Sequence, residues 1–138
     1  MGELNSEENR FDWLLESFVQ STEGVRAAVA VSADGLLLAR SAGISTDDAD
    51  QLSAAVSGMV SLSRGAALRF GGNELKLVMV EMRDCLMIIS SITEGSCLCV
   101  LAHEACDVGL IGYKITLLAE RAATMVVPGN SGGPTNRL

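Results

Sequence analysis

The feature that most constrains this chain is the run STDDADQLSAAVSGMVSLSRGAALRFGG, residues 45 to 72. Ser45 with Asp48 three positions on has the form of a capping box, and Gly71-Gly72 supplies a left-handed stop. Between them the pattern predicts one long helix, from about Thr46 to Leu68 or Arg69, with better marked boundaries than any other element. Leu52, Val56, Met59, Ser63 and Ala66 form its expected buried stripe, with Ala55 and Leu62 beside it. Asp47, Asp48 and Asp50 fall in its first turns, where negative charge offsets the helix dipole. Whatever strands the chain forms must therefore lie in two groups joined by this helix.

The flanking sequence supplies those groups. Before the helix, VRAAVAVS (25 to 32) and LLLARS (36 to 41) are strand-like and separated by the turn signal ADG, which reads as a hairpin. After it come ELKLVMVEM (74 to 82), CLMIISSI (85 to 92) and SCLCVLA (96 to 102), a meander. An amphipathic helix carrying Phe11, Leu14, Leu15, Phe18 and Val19 precedes the first strand, with Trp13 assigned to its buried side or to a partner contact. Asp107 caps a last helix, in which Val108, Ile111, Ile115, Leu118 and Ala122 share a face. The order is α-β-β-α-β-β-β-α. Its economical packing is an α+β sandwich, one five-stranded antiparallel sheet with helices on both faces.

The chain has 138 residues, the size of one domain, expected at 11 to 127 between a flexible N-terminus (1 to 10) and a disordered tail (128 to 138). A net charge of -7 without a Lys/Arg cluster argues against nucleic acid. No apolar run is long enough to span a bilayer, and the acidic start MGELNSEENR is unlike a secretory signal, so the protein is expected in the cytoplasm with its four cysteines reduced.

Chemical centres are sparse. Cys97, Cys99, His103 and Cys106 crowd into GSCLCVLAHEAC, but Cys97 and Cys99 lie two apart on a strand, too far apart to close easily on one zinc ion. Cys106 near a helix start is the candidate reactive thiol, opposed by Glu104 and Asp107. Cys85 is a strand residue near a turn. His103, the single imidazole, has no nucleophile elbow to serve, and no phosphate-binding loop is present. Asp34 and Gly35 fit turn chemistry, and the acidic helix start lacks the spacing of a calcium loop. No catalytic residue, metal or cofactor is expected.

The element order, with GVRAAVAVSADGLLLARSAGIS, a Ser/Ala-rich helix and DVGLIGYKITLLAERA, resembles the Roadblock family related to dynein light chains. Over residues 11 to 125 it is similar to the small actinobacterial members encoded beside a histidine-kinase-like sensor and a Ras-like GTPase. VAVSADGLLLA at 29 to 39 and the Asp107-Val108-Gly109 helix start are the most specific pieces. The resemblance implies a profilin-like fold and a non-enzymatic homodimeric adaptor, with sheets joined at the third strand and the long helices side by side. It further implies a Ras-like small GTPase as partner, with a sensor histidine-kinase-like protein as a second. The GTPase contact residues are not deducible from sequence. The rival readings are a small-ligand or redox sensor and a structural scaffold for the sensor.

Two sequence features bear on self-association. Ala54, Ser57, Gly58, Ser61 and Gly65 form a second face of small residues on the long helix, which lets another helix approach closely. Each helix-interior glycine costs about 1 kcal/mol relative to Ala, so two of them call for a reason. The third strand is apolar on both faces, with Leu75, Leu77, Met79 and Glu81 on one and Lys76, Val78, Val80 and Met82 on the other. The expected dimer interface is therefore Ala54, Ser57, Gly58, Ser61 and Gly65 with Lys76, Val78 and Val80. The alternatives are a small face packed within its own domain or exposed, and a third strand interior to the sheet.

Overall fold

A computed structural model describes residues 6–126. Three helices and five strands follow one another as α1 (Ser6–Ser21), β1 (Val25–Ser32), β2 (Leu37–Arg40), α2 (Thr46–Arg69), β3 (Leu77–Glu81), β4 (Leu86–Thr93), β5 (Ser96–Ala102) and α3 (Val108–Ala122). Residues 6–10, expected as flexible lead-in, begin α1; residues 1–5 and the expected tail at 128–138 lie outside the described residues.

The long helix has the expected ends. Ser45 Oγ accepts the Asp48 N–H at 3.1 Å, and Gly71 takes a φ of 76° while Gly72 N–H returns to the Ala67 carbonyl. Its buried stripe, however, is Ala49, Ser53, Val56 and Val60. Leu52, Met59 and Ser63 are only half-buried, and Ala55, Leu62 and Ala66 are exposed. The buried face can include Ser53 because its hydroxyl donates to the Ala49 carbonyl at 2.8 Å.

The strands form one antiparallel sheet in the order β2-β1-β5-β4-β3. The hairpin and the meander join through β1 and β5, with Val29 opposite Cys99 and Ala30 opposite Leu98. The third strand is thus an edge strand, and its interior alternative is excluded. One face of the sheet packs against α1 and α3, through Leu14, Leu15, Ile111 and Ile115 over Leu98 and Val100. The other packs against α2, through Val56 and Val60 over Val29, Val31, Ile89 and Cys99. Period-two alternation sorts β1 and β5 between these two cores. Trp13 projects away from both and is 64% exposed, which excludes the buried one of its two expected places: Phe11, Leu14 and Leu15 define the inward side of α1, roughly 200° around from it.

The two edges of the sheet differ. At β2, Arg40 N–H donates to Asp12 Oδ1 at 2.9 Å, and just past the strand Ala42 N–H donates to Glu16 Oε1 at 2.8 Å. Two α1 carboxylates thereby occupy the donors that another strand would need and add negative charge there. The Ala42 N–H, and secondarily the Gln20 amide, hold the Glu16 carboxyl below its usual range. A depressed folded-state value means stabilisation present above the unfolded pKa and lost as pH falls through the folded one. Glu16→Gln should therefore lower stability at pH 7 by about 0.5 kcal/mol, allowing for solvent screening. Urea titrations should show that difference closing as the pH falls below the ordinary carboxylate range.

Candidate protein-interaction surface

Among the described residues no such device occupies the edge at β3. Its register with β4 pairs Leu77 with Ser90, Val78 with Ile89, Met79 with Ile88 and Val80 with Met87. The Ser91 N–H donates to the Lys76 carbonyl and the Met82 N–H to the Cys85 carbonyl, so the even-numbered residues of this segment turn their backbone groups toward β4. Leu77, Met79 and Glu81 consequently turn their N–H and C=O groups outward. The side chains alternate in the other sense: Val78 and Val80 pack half-buried on the α2 side, whereas Leu77 and Met79 lie on the α1/α3 side and are 47% and 46% exposed. Leu75, expected on the Leu77 face, packs instead beside Val78 and Val80, because it precedes the regular strand and the alternation does not extend to it.

On α2 the expected small-residue face points away from the sheet. Ala54, Gly58, Ser61 and Gly65 are exposed, and a Cβ added at Gly58 or Gly65 would meet nothing within 4 Å. Packing of that face within its own domain is thus excluded for these four. Ser57 departs from them: it is half-buried, and a Cβ added at Gly35 would lie 3.1 Å from its side chain, so it abuts the β1–β2 turn. Leu62 and Leu68, 79% and 81% exposed, flank the small ridge. At 100° per residue they lie to either side of Gly58 and Gly65, a large side chain next to a groove. Sequence reading missed this pairing by placing Leu62 beside the buried stripe, on the inward side of the helix.

Lys76 is exposed. The remaining candidates do not converge on a reactive centre. Cys97 and Cys99 are buried in the core beneath α2, His103 is exposed past β5, and Cys106 sits half-buried against Gly24, whose added Cβ would lie 2.9 Å from the Cys106 Cβ. Burial pushes the Cys97 thiol up to about 11, partly offset by Arg64. Burial, with Cys97 and Cys85 nearby, raises Cys99 further. Such thiols are protonated at neutral pH, the wrong state for a nucleophile. Among the described residues no group of three or more His, Cys, Asp or Glu side chains is arranged to hold a metal ion, and no helix is long and apolar enough to cross a membrane.

The surface that the molecule offers is thus a sheet edge and a helix ridge rather than a cleft with chemistry in it. Comparison with known proteins agrees with that shape. The profile of Roadblock/LC7 domains matches residues 11–102. The chain belongs to the Roadblock/LC7 family. A crystal structure of a Roadblock/LC7 domain from Streptomyces avermitilis is 36% identical, with 82% of this chain and 94% of that one covered and a TM-score of 0.78. MglB of Myxococcus xanthus has the same Roadblock fold at 17% identity, covering 87% of this chain and 90% of its own, with a TM-score of 0.78. Acanthamoeba castellanii profilin IA, also 17% identical, covers 83% of this chain and 97% of its own at a TM-score of 0.52, which bears out the profilin-like shape. No curated protein matches the sequence significantly.

Proposed function

We propose that this protein is a homodimeric, non-enzymatic adaptor that binds a Ras-like small GTPase in a cytoplasmic signalling system. The observation that carries the self-association is the asymmetry of the sheet: α1 carboxylates block the edge at β2, while β3 presents three residues' outward backbone groups. An apolar strand left at an open edge is an aggregation liability, which pairing with its own symmetry mate removes. The interface combines β3 with the ridge of Ala54, Gly58, Ser61 and Gly65. Val78 and Val80 contribute side chains on the α2 face, and Lys76 lies just ahead of the strand.

Family membership supports the GTPase role. A dimeric platform of this kind shifts the GTPase between nucleotide-dependent conformations only by its differential affinity for them. A sensor histidine-kinase-like protein is a further partner of such an adaptor. Affinity purification from a native lysate, split between GDP and a non-hydrolysable GTP analogue, tests the reading. A small GTPase should be retained at least about tenfold better in one nucleotide state, a differential of about 1.4 kcal/mol. Equal retention in both states, or none, would overturn nucleotide-dependent binding.

A further inference from the structure

The two hairpin turns at one end of the sheet meet each other beside α2. A Cβ added at Gly95, in the β4–β5 turn, would lie 3.4 Å from the Ala33 Cβ in the β1–β2 turn, and one added at Gly35 would lie 3.1 Å from Ser57 on the helix. Between the turns and the helix is a pocket of about 220 Å³. Its helix wall is Ser57, Ser61 and Arg64, spaced i, i+4 and i+7 along a single face. Ser32 and the buried Ser96 and Cys97 line the sheet side.

This lining favours negative charge. The chain carries a net charge of -7, yet among the described residues no Asp or Glu lines the pocket. Arg64 is half-buried, and among the described residues its guanidinium makes no hydrogen bond or ion pair, not even with Glu94, which shares the neighbouring groove with it. Its charge is felt inside the pocket, where it draws the Cys97 thiol down against the effect of burial. Ser57 and Ser61 have no side-chain hydrogen-bond partner among the described residues. Ser32 Oγ accepts the Leu36 N–H at 3.1 Å, which leaves its own proton to donate. One guanidinium and three hydroxyls thus line one small space with no carboxylate to match them.

An oxyanion supplies the missing acceptors. The space equals roughly seven water volumes, room for one oxyanion and a few further atoms, and falls short of the about 300 Å³ at which pockets for drug-sized ligands begin. A guanidinium forks onto two oxygens of a carboxylate or a phosphate. That fork occupies both oxygens of a carboxylate, whereas a phosphate monoester keeps a third terminal oxygen for the serine hydroxyls and carries up to two charges. We propose that this pocket binds a phosphate monoester group, with Arg64 forked on two of its oxygens and Ser32, Ser57 and Ser61 donating to the remaining acceptor sites. All of these residues belong to one chain, so the site does not rest on the dimer.

The test is a titration of the full-length, nitrogen-15-labelled protein with inorganic phosphate, followed through the amide signals of Ala33 and Gly95. Those signals should move along a single-site curve, and acetate at matched ionic strength should bind at least about tenfold more weakly. Arg64→Ala suits a helix and keeps the fold, and it should weaken phosphate binding at least about tenfold. Arg64→Lys keeps the charge without the fork and should also bind more weakly than wild type. Arg69→Ala, exposed on the same helix and outside the pocket, should bind as wild type does. Glycerol 3-phosphate and N-acetyl-O-phosphoserine N-methylamide then separate the two sources of such a group: tighter binding of the first points to a small phosphorylated metabolite, and of the second to a modified serine on a protein. Signals that stay still, that respond equally to acetate, or that titrate undiminished in Arg64→Ala overturn the site.

Discussion

Met79→Pro is expected to convert the proposed dimer into a folded monomer. Proline at this site removes an N–H that points out of the sheet, because it is the even-numbered residues of β3 that bond to β4. An edge strand tolerates proline when the lost donor faces away from its neighbour. The isolated domain should therefore unfold at nearly the wild-type temperature. In the dimer Met79 is the middle of the three outward-facing residues, and two-fold symmetry removes its bond twice. Two hydrogen bonds at about 1 kcal/mol each, plus the ring standing in the path of the partner strand, weaken association by about 2 to 3 kcal/mol, roughly a hundredfold. Val78→Pro is the contrasting variant. Its N–H faces β4, so the substitution breaks the ladder and should lower the melting temperature of the domain itself. Light scattering across a dilution series measures the first effect and thermal unfolding the second. A Met79→Pro protein that keeps the dimer mass at wild-type affinity would move the interface away from β3.

The order of elements was legible because it is written in local signals. A serine cap, a glycine stop and a change of period from 2 to 3.6 need no knowledge of the rest of the chain. The edge position of β3 could be expected only by resemblance, since pairing order depends on contacts distant in sequence. The orientation of α2 was misread for a physical reason. This helix carries small or apolar residues on nearly every side, so the periodicity of Leu52, Val56 and Met59 gave a direction without knowledge of where the sheet lies. The buried Ser53 bonded to Ala49 is invisible to a count of apolar residues. Least legible was the guard on β2: Asp12 and Glu16 look like ordinary solvated positions on α1, and their partners are 28 and 26 residues away. The open edge acquires its meaning only against that closed one.

Gly58→Leu should have opposite effects on the folded chain and on its association. In the isolated chain Gly58 faces open space, with nothing within 4 Å of an added Cβ, so leucine there relieves the helix of a glycine and stabilises it by about 0.8 kcal/mol. At this chain length that is a rise of about 3 °C in melting temperature. If the ridge of α2 packs against its symmetry mate, the same side chain enters a contact built around small residues. Overpacking there costs about 1 to 3 kcal/mol and occurs on both subunits, so dissociation should become at least about tenfold easier. The two effects separate cleanly in the Met79→Pro background: the monomer should melt higher with Gly58→Leu, whereas the wild-type background should lose dimer. A variant that melts higher and also dimerises as tightly as wild type would leave the ridge exposed in the assembly. The interface would then consist of β3 and its neighbours alone, and the two glycines would serve contact with another protein.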